Sequence, residues 1–290
     1  MNLRPALLSC ACLALLAARP ARPARADAPP APETMAEQRL REIVEHQKAV
    51  LADAGNERDT PDDPELKARA NQIVHEYESL LRDNPEFAAG YASYGYMLWK
   101  VGARKEAVAI LLKANQLDPD IPLVKNELGN YLAEEGKPME ALNYYLAAIK
   151  LEPGEPLYHY QLGTLLCEAQ DDFLKSGEWT RDSLDHSMQQ AFKAAAQLAP
   201  GRIEFTYRYA ESFYDMKDPD WAEALKAWGG LEARAQSDIE RQTMRLHEAN
   251  VLITMGRNAD AGKVLDTVTD PRLDLQKQKL VARLAPDKGR

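Results

Sequence analysis

The sequence predicts an all-α fold, a solenoid of antiparallel helix pairs, on three observations. Prolines recur at positions 85, 119 and 153, 34 residues apart each time. Between them the same residue types return in register. Residues 88–121 carry Tyr91, Tyr94, Gly95, Leu98, Ala107, Leu111 and Ala114, and residues 122–155 carry Lys125, Leu128, Gly129, Leu132, Ala141, Tyr145 and Ala148 at the same offsets. Gly102 and Gly136 fall midway, where a turn would join two helices. A period of this length marks a repeat whose unit cannot bury its own apolar side and must stack on its neighbours.

The chain begins with a segment unlike the rest. Arg4 is followed by an uncharged stretch from Pro5 to Ala18 and then by Arg19, Arg22 and Arg25. This reads as a secretory signal peptide over residues 1–26, with Ala24 and Ala26 spaced for cleavage before Asp27. An exported protein, periplasmic or secreted, is expected. An arginine-rich, acid-free start also suits a mitochondrial transit peptide in a eukaryote, although Ala6 to Ala18 is apolar on every side rather than amphipathic. Residues 27–33 form a Pro/Ala-rich linker.

The formal net charge of −9 becomes −13 once residues 1–26, with four Arg and no acid, are removed. Such a surface repels nucleic acid and anionic lipid, so neither is an expected partner. No later apolar run is long enough for stable membrane insertion. Cys10 and Cys12 lie in the leader, which leaves Cys167 alone and an intramolecular disulfide impossible.

Two amphipathic helices are expected over residues 34–87, with Leu40, Ile43, Val44, Val50 and Leu51 on one stripe of the first, capping the array. The array itself is expected over residues 88–269. Its third unit (156–202) carries His159, Leu162, Gly163 and Leu166, then Met188, Phe192, Ala195 and Pro200 arriving thirteen residues late. The extra residues fall between the helices, where a solenoid can lengthen a connection. A fourth unit (203–238) shows Thr206, Tyr209, Ala210 and Phe213, then Ala224, Trp228 and Leu231 after a two-residue slip. A fifth (242–269) aligns through Gly256, with Ala249, Leu252, Ala261, Leu265 and Val268 in register. Residues 270–290, with Leu273, Leu280 and Leu284 on one side, are expected to form a C-terminal capping helix and tail. Gly95 and Gly129 sit mid-helix, where glycine costs about 1 kcal/mol relative to Ala. Close passage of a second helix is the expected compensation.

These offsets resemble the tetratricopeptide repeat, whose unit carries an aromatic, Leu-Gly, small and aromatic residues, and a closing proline in this order. The resemblance implies a right-handed superhelical solenoid with a concave groove lined by the first helix of each pair. It further implies that the second, fifth, ninth and twelfth positions of a unit face that groove. Carried onto this chain, those positions include Tyr96, Trp99, Asn126, Asn130, Tyr160, Thr164, Tyr207, Glu211 and Tyr214. Tyrosine and asparagine suit a protein partner or an extended peptide segment, the rings burying side chains and the amides pairing with backbone. Filling the inner wall between units is the competing use of the tyrosines.

Catalysis is not expected. The five histidines have no zinc-pair spacing, a lone cysteine excludes a thiolate cluster, and neither a phosphate loop nor a nucleophile elbow is present. Asp171, Asp172 and Glu178 read as a solvated loop, and no cofactor or metal is expected. A peptide-binding scaffold or assembly factor of the cell envelope is the expected role, with a passive structural subunit, acting through its convex face and ends, as the alternative. Trp179 in the long connection is expected either to anchor a partner or to fold back as a local core.

Overall fold

The computed structural model describes residues 33–56 and 64–284. The expected leader, nearly all of the linker and the last six residues lie outside them. The described residues form fourteen α-helices and no strand. None of these helices is long and apolar enough to cross a membrane. The chain divides into two compact units at the Pro153–Gly154 junction.

The first unit consists of three helix hairpins: α1 (Met35–Asn56) with α2 (Pro64–Asp83), α3 (Ala88–Lys100) with α4 (Arg104–Leu117), and α5 (Pro122–Glu134) with α6 (Pro138–Leu151). The stripe Leu40, Ile43, Val44, Val50 and Leu51 is buried against Ile73, Tyr77, Leu80 and Leu81 of α2. Tyr77 stacks on Tyr94 of α3, so the first hairpin shares a core with the second.

The turns inside the second and third hairpins are copies of one another. Gly102 and Gly136 take positive φ, +85° and +71°, which glycine adopts without steric penalty. In each, the following amide donates five residues back, Ala103 to Leu98 and Lys137 to Leu132, both at 2.9 Å. This is the left-handed close that satisfies orphaned helix carbonyls. Gly256 in the second unit repeats it at φ +74°, with Arg257 donating to Leu252 at 2.8 Å.

The repeat's mid-helix glycines are each covered by a large side chain of the second helix. A Cβ on Gly95 would stand 2.7 Å from the Leu111 side chain, one on Gly129 2.8 Å from the Tyr145 ring, and one on Gly163 2.8 Å from the Phe192 ring. In each hairpin a large side chain of the second helix lies directly on the glycine of the first. The expected close passage of a second helix holds at Gly95, where the Leu111 amide nitrogen also comes within 3.3 Å of such a Cβ, and is filled by an aromatic ring at Gly129 and Gly163.

The second unit holds α7 (Pro156–Glu168) paired with α9 (Arg181–Leu198), α10 (Ile203–Ser212) followed by α11 (Trp221–Glu232), and α12 (Asp238–Thr254) paired with α13 (Asn258–Asp266). Between α7 and α9 the thirteen extra residues form a short helix, α8 (Gln170–Lys175), and a turn. Phe173 of α8 is fully buried, and the partly buried Trp179 meets it edge-on at 5.5 Å, so the connection carries its own small core. Arg181 fastens it, bonding Asp185 at 2.7 Å, Gln170 at 2.9 Å and the Asp215 carbonyl.

Helix α12 starts at Asp238, ahead of the expected 242, because Ser237 and Glu240 form a reciprocal capping box. After a 3-10 turn at Pro271–Leu273, α14 (Asp274–Leu284) lays Leu280 and Leu284 on the cluster of Leu246, Ala249, Leu265 and Val268. Its outer face is not wholly polar, since Leu275 and Val281 remain 64% and 46% exposed.

Candidate functional site

The nine residues selected by the repeat offsets divide between the two units. In the first unit, Tyr96 is buried and Trp99 half-buried on α3, with the Arg104 guanidinium 5.1 Å from the Trp99 ring centre. Asn126 and Asn130 lie on α5 and are committed inward. Both amides donate to Glu127, at 3.2 and 3.1 Å, and the Asn130 carbonyl accepts from the Tyr145 hydroxyl at 2.7 Å. Asn126 is fully buried, so its side chain does not reach the surface where an extended peptide would lie. Burial raises the Glu127 carboxyl above the usual range, opposed by Lys100 and the two asparagines.

In the second unit the structure brings the selected residues together. Tyr160 and Thr164 come from α7, Tyr207 and Glu211 from α10, and Tyr214 from the 3-10 turn that ends α10. Each is partly buried, neither lost to the core nor free in solvent. Glu211 is the common neighbour, because its charge raises the hydroxyl pKa of Tyr160, Tyr207 and Tyr214 alike, after burial as the leading cause. Its own carboxyl is raised first by burial, against the Arg208 guanidinium 3.7 Å away and with reinforcement from Asp215.

Arg208 ties this face together. Its guanidinium bonds Asp215 at 3.0 Å, reaches the Cys167 sulfur at 2.9 Å and lies 4.5 Å from the Phe192 ring centre. Cys167 is therefore part of a charged cluster. Burial nevertheless pushes its thiol up to about 11, so it remains protonated and a poor nucleophile near neutrality.

His247 of α12 closes the cluster. Its ring stacks on Trp228 at 3.9 Å and 7°, with the Tyr207 hydroxyl 3.3 Å from Nε2 and the Tyr214 hydroxyl 3.5 Å from Nδ1. Desolvation lowers it to about 4, so the imidazole is neutral near pH 7.

The repeat offsets select neither Arg208 nor His247 for the groove, yet a signal for both exists. They occupy the sixth position of their units, as do Ser93, Glu127 and Gln161 in the others. Every unit thus places a polar residue there, in the first helix, two positions before a buried small residue, Gly95, Gly129, Gly163, Ala210 or Ala249.

A separate cleft of about 460 Å³ lies between α11, α12 and α13, lined by Leu225, Gly229, Glu232, Glu248, Leu252 and neighbours. It contains none of the selected residues. Asp171 and Asp172 sit exposed in the first turn of α8, apart from the Tyr207–His247 cluster.

No family model matches the sequence, and comparison with curated proteins finds no match. Solved structures do match. YrrB, described as a TPR protein with an unusual peptide-binding site, aligns at a TM-score of 0.56 and 17% identity, covering 70% of this chain and 97% of its own. The type IV pilus biogenesis factor PilW aligns at 0.56 and 11% identity, covering 86% and 100%. PilF of Pseudomonas aeruginosa aligns at 0.53 and 15% identity, covering 83% and 99%. The chain therefore has the tetratricopeptide-repeat fold, an all-α stack of antiparallel helix pairs.

Proposed function

We propose that this protein is a non-enzymatic scaffold or assembly factor of the cell envelope that binds a protein or an extended peptide segment through the first helices of its hairpins. The convergence of Tyr160, which packs on Phe205 of α10 at 5.1 Å, with Tyr207, Glu211 and Tyr214, spaced along α10 and its terminal turn, carries the reading. Aromatic side chains held half-buried beside a polar network offer contact area at small entropic cost. A peptide-binding site is named for YrrB and a role in pilus biogenesis for PilW, which supports an interaction role and is compatible with the envelope. Export rests on the leader.

The alternative, a passive structural subunit, draws on a different observation. Leu112 and Leu146, at one repeat position on second helices α4 and α6, stand 44% and 47% exposed.

Photo-crosslinking separates the two readings. A benzophenone side chain at Tyr214 should capture partner from native envelope extract while one at Leu112 or Leu146 does not. Capture from the leucine positions alone sinks the inner-face reading. Sequencing the mature N-terminus tests export, with Asp27 as the expected first residue.

A further inference from the structure

We infer that the second unit's inner face takes a cationic side chain, a lysine or arginine carried on the bound segment, seated on Glu211 among Tyr160, Tyr207 and Tyr214. The inference rests on the reading of this face as a binding surface and adds the chemistry of its occupant.

Charge is the first argument. Around the three tyrosines stand Glu211, Glu168 and Asp215, with Arg208 beside them and Arg181 turned to the Asp215 carbonyl. Arg208 is already committed to Asp215 at 3.0 Å and reaches Glu211 only at 3.7 Å. The Glu211 carboxylate is thus the under-neutralised member, with 46% of its side chain open to solvent. Over the whole chain the formal charge is −9, so approach of a basic segment is also favoured at long range.

Geometry is the second argument. Tyr207, Glu211 and Tyr214 are four and three residues apart, so they follow one stripe of a helix and its terminal turn. Tyr160 approaches from α7, its ring fixed by Phe192 at 5.8 Å and Phe205 at 5.1 Å. Tyr207 and Tyr214 are fixed from behind by Trp228, at 5.2 and 6.2 Å. Rings held in place beside a carboxylate attract a cation through both the ring quadrupole and the opposite charge. An acidic segment would meet the Glu211 carboxylate beside an arginine already engaged by Asp215.

A displayed library of random dodecapeptides, panned against the full chain and counter-panned against Glu211→Gln, tests this. Retained peptides should be enriched in lysine or arginine. A synthetic peptide from the enriched pool should bind Glu211→Gln about tenfold more weakly at unchanged helicity, and replacing its basic residue with glutamine should cost as much on the parent chain and nothing further on the variant. Peptides retained without basic enrichment, or binding both chains equally, overturn the inference while leaving the peptide-binding reading intact. If no peptide is retained above background, both fall.

Discussion

The Tyr145 ring lies on Gly129: a Cβ placed there would come within 2.8 Å of it, and the two residues are sixteen apart in sequence. The same separation joins Gly95 to Leu111, and it becomes twenty-nine for Gly163 and Phe192 because thirteen residues intervene. Gly129→Ala gains about 1 kcal/mol of helix propensity. It also forces a buried ring out of place, at a cost of about 1 to 3 kcal/mol. A net loss of stability is expected, larger for Gly129→Leu, and thermal unfolding measures it. An unmoved or raised melting temperature for Gly129→Leu would show that Tyr145 does not occupy that position.

Gly230 of α11 is the control, because a Cβ there meets nothing within 4 Å and its φ is not positive. Gly230→Ala should therefore stabilise by up to about 1 kcal/mol. For a cooperative unit of this size that is a rise of about 2 to 4 °C. Differential scanning calorimetry of both glycine variants side by side reads the opposite signs.

Much of this architecture was legible because a repeat writes each packing contact several times. The mid-helix glycines, the turn glycines and the buried alanines Ala107, Ala141 and Ala195 follow from that redundancy, whereas the side chain that covers each glycine does not. Helix starts were less legible, since the Ser237 cap sets α12 by a local hydrogen bond that the period does not encode. The candidate site was half legible. Groove offsets found Tyr207 and Tyr214, but they also selected Asn126, whose amide is consumed by Glu127 in the core. They passed over His247, whose ring meets the Tyr207 and Tyr214 hydroxyls, and Arg208, which binds Asp215 and Cys167, both at the sixth position. Whether a polar residue faces solvent or a buried partner depends on the neighbouring helix, which offsets within one unit do not describe.

Asp185 should be the costliest surface-adjacent carboxylate to remove. It is 3% exposed, accepts from Arg181 at 2.7 Å and caps the Lys217 amide at 2.7 Å, so it joins α9 to the segment after α10. Asp185→Ala leaves that amide without its acceptor and the Arg181 guanidinium without its carboxylate, an expected loss of about 3 kcal/mol. The urea midpoint reports the loss. Asp185→Asn should recover part of it by keeping an acceptor for Lys217, and a full loss in both variants would argue that charge alone matters.

His247 gives stability a pH dependence of known sign. Its folded pKa is lowered from 6.5 to about 4 by burial among Tyr207, Tyr214 and Trp228. Between those values the unfolded chain binds the proton and the folded one does not, so stability falls as pH drops from about 6.5 towards 4. The full effect is on the order of 3 kcal/mol. His247→Phe should flatten this part of the profile when urea midpoints are compared at pH 7 and 4.5. An unchanged profile would mean that the imidazole titrates freely in the folded state.

Glu248 contributes the opposite slope in an overlapping window. Burial, with Glu232 nearby and Arg245 opposing, raises its folded pKa from 4.5 to about 7. Here the folded chain holds the proton more tightly, so stability is lost as pH rises from about 4.5 through 7. The carboxyl is only partly buried, which reduces the effect to about 1 kcal/mol. Glu248→Gln keeps the shape and removes the titration, so it should stabilise the protein at pH 8 and leave it nearly unchanged at pH 4. Combined with His247→Phe, it should give a profile flatter between pH 4.5 and 7 than either parent slope. If Glu248→Gln instead destabilises at pH 8, the ionised carboxylate is being held by Arg245, and that pair rather than desolvation governs the cleft.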